Sequence, residues 1–205
     1  MGSGGEYDIR VYRSKMSEDY FDTSVPADPY GFSKYAISKY AARTGHVTVL
    51  RIFGLFGKYE DYTYKFISNA IAKNLLGLPI IINQNAVFDY LCMNDFLRLT
   101  DKFIECNPKF RHYNVTPTES VDLLTLAALV VAAGDKKSEV RVLNPGLNRE
   151  YTGSNSRLLA EFPDLEFTAY AAAIEELYGY YRQNLDKLDV EAVKADPYLK
   201  HCRTK

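Results

Sequence analysis

Tryptophan is missing from this 205-residue chain, and cysteine, methionine and histidine are scarce at three each. Aromatic packing therefore falls to 17 tyrosines and 11 phenylalanines, and most of those tyrosines are expected to bury the ring and keep the hydroxyl wet. Cys92, Cys106 and Cys202 are an odd number at unrelated spacings. They give no disulfide framework and no metal-ligand pattern, and they predict reduced thiols in the cytoplasm. Neither sign of charge is in excess: 25 Lys+Arg face 26 Asp+Glu, for a net charge of −1. There is accordingly no electrostatic case for nucleic acid or an anionic membrane as partner. Every apolar run is too short to span a bilayer, and Met1 leads into glycines and charges instead of a signal-peptide core. Internal repeats and low-complexity segments are also absent. What is present is an ordinary globular composition, 47% hydrophobic, enough for a buried core without disulfides.

Strand and helix signals alternate along the chain. A polar, proline-punctuated loop, MSEDYFDTSVPADP, leads to a helix opened by Pro29 and expected to run to about Arg43, with Gly45 ending it. VTVLRIF (47–53) reads as a buried strand, followed by the glycine-punctuated loop GLFGKYED. TYKFISNAIAKNLLG has helical periodicity, PIIIN and VFDYLC read as strands, and NDFLRLTDKFIEC as a helix capped by Asn94 or Asp95. RHYNVT is a strand, and Ser120 or Asp122 opens the helix LLTLAALVVAAG. EVRVLN is a further strand, NSRLLAEFP a short helix and YAAAIEELYGYYRQNL a long amphipathic one. The remainder, DKLDVEAVKADPYLKHCRTK, predicts a peripheral helix or a loose tail. This alternation argues for an α/β fold with a mainly parallel sheet, whose ligands bind beyond the carboxyl ends of the strands.

One stretch carries a chemical question. DPYGFSKYAISKY contains Y-x-x-x-K twice, as Tyr30…Lys34 and as Tyr35…Lys39. Residues four apart share a helix face. The two pairs are offset by five residues, about 140° around the axis, so they cannot both face one pocket. A tyrosine that shuttles protons needs its pKa drawn down from about 10, and a neighbouring ammonium does this by favouring the phenolate. Such a pair also arises by chance on many helices. Context favours the first copy: Tyr30 opens its helix after a loop, and Gly31 beside it is expected to leave the backbone open to a ligand. Tyr35 is followed by Ala36 and Ile37 and reads as packing.

PYGFSK resembles the P-Y-G-x-S-K signature of the extended short-chain dehydrogenase/reductases, the NAD-dependent epimerase/dehydratase family acting on nucleotide sugars. The resemblance covers nearly the whole chain. SGGEYD is similar to the segment carrying the family's catalytic Ser or Thr, LRIFGLFG to its L-R-x-F-N-x-x-G, and FDYLCMNDF to its R-D-Y-x-x-V-x-D. YTGSNSRL falls where a late substrate-side segment is expected. The resemblance implies that Tyr30 is the acid/base, and that Lys34 lowers its pKa and holds the nicotinamide ribose. It implies that Ser3 holds the substrate oxygen and that Phe53 contacts the nicotinamide end of NAD or NADP. Tyr35 and Lys39 would be packing and surface.

The departures from the pattern matter equally. The family's Asn is replaced by Gly54 and its Arg by Phe88, which removes usual diphosphate contacts. Because a diphosphate needs cationic or amide donors, Arg51, Lys58, Arg149 and Arg157 are candidate substitutes. Gly4 and Gly5 stand where the family's 4,6-dehydratases carry Asp-Glu, which argues for an epimerase or 4-keto reductase. The strand, G-x-G-x-x-G turn and helix that hold a dinucleotide are not found. The resemblance therefore implies a C-terminal part lacking the N-terminal dinucleotide-binding half. Its fold would be the second half of a Rossmann-type parallel sheet plus a small α/β substrate-binding lobe. The expected division is 1–60 for the second half of the cofactor domain, 61–185 for the substrate lobe and remaining sheet elements, and 186–205 for a peripheral tail. The implied partners are a nucleotide-diphosphate sugar and a second copy of the chain, with no metal. The chain alone would be inactive and would not bind NAD. A non-catalytic sugar-binding or dimerising module derived from the same family is the alternative.

Overall fold

The structure, a computed structural model, describes residues 1–202. In chain order the elements are β1 (Gly2–Ser3), α1 (Pro29–Ala41), β2 (Val49–Ile52), β3 (Gly54–Phe56), α2 (Phe66–Leu76), β4 (Ile80–Asn85), β5 (Val87–Phe88), β6 (Tyr90–Cys92), α3 (Met93–Glu105), β7 (His112–Val115), β8 (Val121–Asp122), α4 (Leu123–Ala133), β9 (Val140–Leu147), α5 (Ser156–Glu161), α6 (Tyr170–Gln183), α7 (Val190–Lys194) and α8 (Pro197–His201). The fold is mixed α/β with parallel sheets. The chain forms two compact units. One comprises 1–55, 88–120 and 150–167, and the other comprises 56–87, 121–149 and 168–205. The contiguous blocks expected from the sequence thus differ from units between which the chain passes repeatedly.

The first unit is built on a parallel sheet in the order β1-β2-β7, with Gly2 opposite Arg51, Ser3 opposite Ile52, and Val49 to Ile52 opposite His112 to Val115. Side chains on β2 alternate between faces, as the pleat requires. Val49, Arg51 and Phe53 are buried on one side. Leu50 and Ile52 pack on the other against a core of Leu91, Phe96, Leu99, Tyr113, Val115 and Leu158. Helix α1 begins where Asp28 accepts a hydrogen bond from the Gly31 N–H, with Pro29 in the first turn. It packs on β1 and on the 3-10 turn Gly4–Glu6. The expected cap of α3 is corrected. Cys92 is the N-cap, and Asp95 lies inside the first turn, paired with Arg98.

The second unit pairs β4 with β9 in parallel and stacks α2, α4 and α6. Asp122 caps α4 through the Leu124 and Thr125 N–H groups, one of the two starts the sequence allowed. Helix α2 is buried from Phe66 to Leu75, and its polar members are matched. Lys73 pairs with Asp196 at 2.7 Å, and Asn74 accepts from the Tyr178 hydroxyl at 2.7 Å. Glu60 lies largely buried, accepting from the Ser68 hydroxyl at 2.5 Å, and burial pushes its carboxyl up to about 7. The segment read as a tail is docked: Val193 is fully buried, and α7 and α8 pack on α2 and β4. Residues 203–205 of that segment lie outside the described residues. Among the described residues, no helix is long and apolar enough to cross a membrane, and no group of side chains could hold a metal ion.

Candidate active site

Ser3 ends β1 and turns at once into the 3-10 turn Gly4–Glu6. The first residues therefore pair with the sheet, where the sequence suggested no strand. The Ser3 hydroxyl accepts from the Gly5 N–H at 3.1 Å, and the Ser3 N–H donates to Glu6 Oε1 at 2.8 Å. This reciprocal arrangement fixes the turn. Glu6 is only 1% exposed, and its other oxygen accepts from Arg51 Nε at 2.6 Å. Arg51 is fully buried, stacked 4.2 Å from the Phe21 ring centroid, with Nη1 and Nη2 unpartnered. That placement corrects the suggestion that Arg51 could serve a diphosphate, because its charge is spent on holding the Ser3 turn from beneath.

Tyr30 meets this turn from α1. A Cβ placed on Gly5 would lie 3.2 Å from the Tyr30 ring and 3.4 Å from Ser3 Oγ, so the Tyr30 ring and the Ser3 hydroxyl border one point. Tyr30 remains 58% exposed, and Lys34 Nζ stands 6.0 Å from its ring centroid. Gly31 is buried, and a Cβ there would come 2.5 Å from the Gly5 carbonyl oxygen. Its missing side chain serves the close approach of α1 to the Ser3 turn, which corrects the expectation of a gap for a ligand. The second Tyr-Lys pair is structural. Tyr35 is buried, its hydroxyl donates to Asp22, and Lys39 bridges Asp22 at 2.8 Å.

Phe53, next to the end of β2, is buried in an aromatic group with Tyr7, Tyr12 and Tyr151. Tyr151 was not singled out from sequence. Its ring stacks on Tyr12 at 5.4 Å, and a Cβ placed on Gly4 would lie 2.8 Å from its hydroxyl. Burial pushes the Tyr151 phenol above its ordinary range. Asp89, fully buried, organises this end of the unit. It accepts from the Gly153 N–H at 2.9 Å and the Ser120 hydroxyl at 2.5 Å, and it pairs with Lys15 at 3.2 Å. No spacing rule links Lys15, Asp89, Ser120 and Tyr151. Only the quoted segments FDY and YTGSNS pointed to the region.

The remaining candidates have surroundings of their own. Gly54 faces Tyr90: a Cβ would lie 2.8 Å from that ring, which explains why a larger residue is missing there. Arg157 is committed to Asp19 at 2.9 Å and lies over the Phe110 ring at 4.5 Å. Lys58 and Arg149 belong to the second unit, where Lys58 pairs with Glu176 at 3.3 Å.

The chain resembles the UDP-glucose 4-epimerase of Thermotoga maritima solved with UDP-glucose, at a TM-score of 0.75 and 19% identity, over 90% of this chain and 62% of that one. It also resembles the UDP-glucuronic acid 4-epimerase of Bacillus cereus in complex with UDP-glucuronic acid and NAD, at 0.72 and 18%, over 89% and 60%. A third is the GDP-L-fucose synthetase of Naegleria fowleri bound to NADP, at 0.78 and 13%, over 90% and 63%. The chain thus spans about three fifths of the length of these structures. Among curated proteins no significant match is found. The family model described as NAD dependent epimerase/dehydratase matches residues 2–116, the stretch that carries Ser3, Tyr30, Lys34 and Phe53. The chain belongs to the NAD dependent epimerase/dehydratase family.

Proposed function

We propose that this chain is the part of an NAD(P)-dependent nucleotide-sugar epimerase or 4-keto reductase that bears the acid/base tyrosine. The observation that carries the reading is the shared border of Tyr30 and Ser3 Oγ at Gly5, with Tyr30 open to solvent on one side. Tyr30 takes the proton from a sugar hydroxyl, or returns it to a ketone. Ser3 donates to the same oxygen. The Lys34 ammonium stabilises negative charge on the tyrosine oxygen as the proton leaves. A nicotinamide, when bound, supplies the hydride acceptor or donor. Tyr30, Lys34 and Phe53 are the residues that would hold its ribose end, and the exposed hydroxyl and ammonium donors of the first two suit it. The donors for a pyrophosphate are not supplied by these residues. The chain alone is accordingly inactive.

Dehydration is disfavoured for a second reason besides the glycines at 4 and 5: Glu6, the carboxylate that follows them, is buried and engaged by Arg51 and the Ser3 N–H. Phe32, Ile37 and Tyr40 stay exposed on α1, and this apolar face supports a homodimer. Mass spectrometry of products from a panel of nucleotide sugars, with the protein at the length of its relatives and NAD or NADP, is the test. An isobaric epimer or a hydride-reduced sugar is expected. Loss of one water would overturn the epimerase/reductase reading. Absence of turnover with every sugar would favour a binding module.

A further inference from the structure

The Phe53 ring is seated between two glycines. A Cβ on Gly4 would lie 2.7 Å from its Cδ1, and a Cβ on Gly153 would lie 2.5 Å from its Cζ. Both are closer than a Cβ can stand, so the ring rests on bare backbone at each end. Gly4 follows Ser3 in the 3-10 turn, whereas Gly153 comes from far along the chain. The Gly153 peptide is held from both sides by fully buried groups. Asp89 accepts from its N–H at 2.9 Å, and the Thr116 hydroxyl donates to its carbonyl at 3.1 Å. The residues flanking it pair with Met16. The Met16 N–H donates to Thr152 O at 3.0 Å, and the Ser154 N–H donates to Met16 O at 2.9 Å. One end of the ring thus meets a fixed stop, and the other meets the turn that carries the Ser3 hydroxyl.

We propose that Gly153, clamped by Asp89 and Thr116, is a positioning residue that acts through the Phe53 ring to fix the seat of the Ser3 turn, and so the place of the Ser3 hydroxyl beside Tyr30; this rests on the function proposed above. An aromatic ring is stiff, and a close-packed interior passes a displacement on instead of absorbing it. Tyr7, Tyr12 and Tyr151 surround Phe53 with ring centroids 6.2, 6.5 and 5.2 Å away, which leaves the ring little room to move sideways. A side chain at position 153 would therefore drive the ring against Gly4. The neighbours of Gly4 in the chain are Ser3 itself and Gly5, where the Ser3 hydroxyl and the Tyr30 ring meet. Misplacing a reacting group by about 1 Å costs about 10²-fold in rate.

The test changes both ends of the contact, with Gly153→Ala and Phe53→Leu made alone and together in the protein at the length of its relatives. Gly153→Ala is expected to lower kcat by about 10–100-fold with KM little changed. Phe53→Leu in that background removes the clash and should recover most of the loss, although Phe53→Leu alone lowers kcat. No loss with Gly153→Ala, or a loss that Phe53→Leu leaves standing, would overturn the proposal. Either result leaves the proposed function intact, which falls instead if Tyr30→Phe keeps full turnover. A readout independent of turnover is the amide spectrum of the 205-residue chain carrying isotope-labelled glycine, with its signals assigned along the backbone. Thr116→Val keeps the shape of the side chain and removes only the hydroxyl that holds the Gly153 carbonyl. It should shift the Gly4 and Gly5 signals and leave those of Gly77 and Gly134, in the second unit, in place. Unmoved Gly4 and Gly5 signals would overturn the proposal even where Gly153→Ala fails to fold.

Discussion

Lys39 Nζ donates to the Tyr35 hydroxyl at 3.0 Å, which makes the better hydrogen-bonded of the two Tyr-Lys pairs the one whose tyrosine is buried. With Asp22 it forms a three-member cluster that ties α1 to the preceding loop. The two pairs therefore carry opposite predictions. Tyr35→Phe is expected to lower Tm by roughly 2–4 °C, because it removes hydrogen bonds from a buried hydroxyl, and to leave turnover near wild type. Tyr30→Phe should leave Tm in place and cut turnover by about 10²–10⁴-fold, the range for a placed proton donor. Paired melting curves and initial rates check both. Equal effects on rate would remove the distinction.

Glu6 and Arg51 form a buried pair directly under Ser3. Glu6→Ala leaves an uncompensated guanidinium in the core and frees the Ser3 N–H. A loss of about 3–5 kcal/mol is expected, measurable by urea unfolding. Arg51→Met, which removes the charge but keeps the stem volume, strands the carboxylate instead and should also destabilise. The double change Glu6→Ala with Arg51→Met should recover much of the loss. Strictly additive single-site losses would show that the two side chains do not act as a pair.

Glu60 gives a pH prediction. Its carboxyl is raised from the ordinary 4.5 to about 7 by burial, so the folded state holds the proton more tightly than the unfolded chain. The stability this contributes is full below about 4.5 and is lost as pH rises through about 7. Glu60→Gln keeps an acceptor for Ser68 but removes the titration. It should stabilise the protein at pH 8 by on the order of 2 kcal/mol relative to wild type and make little difference at pH 4. Urea midpoints for the two proteins across pH 4–8 decide it. A constant difference would mean that Glu60 does not titrate in this window.

Calorimetric titration of the 205-residue chain with NAD is expected to show no binding in the micromolar range. Nothing in the sequence supplies a glycine turn for the pyrophosphate. Losing several charge-assisted contacts costs orders of magnitude in affinity. Micromolar binding would mean that the dinucleotide site is built some other way.

Local features were legible in the sequence because their causes are local. The Pro29 start of α1, the strand at β2 and the start of α4 at Asp122, one of the two residues the sequence offered, follow from residues within a few positions of one another. The Tyr30 and Lys34 pair was legible through its motif. What sequence reading missed depends on contacts between distant residues. Asp89 binds Lys15 and Ser120, 74 and 31 positions away. The Tyr151 hydroxyl borders Gly4, and Gly31 presses on Gly5. Such contacts leave no periodicity to read. The cap of α3 was missed for a different reason, since Asn94 and Asp95 favour an N-cap by type while the helix already starts at Met93, one residue before Asn94 and two before Asp95.

The chain changes unit at 55/56, 87/88, 120/121, 149/150 and 167/168, and this has a consequence for its birth on the ribosome. The first unit needs residues 150–167 before its core, which includes Leu158, can close. Ser3 must wait for Tyr151 through about 150 further residues of synthesis, which at 5–20 residues per second takes roughly 7–30 s. For the part of that interval before His112–Val115 emerge, β2 lacks its β7 partner. The nascent chain is therefore a candidate client for ribosome-associated chaperones, and slowed translation should lengthen its exposure.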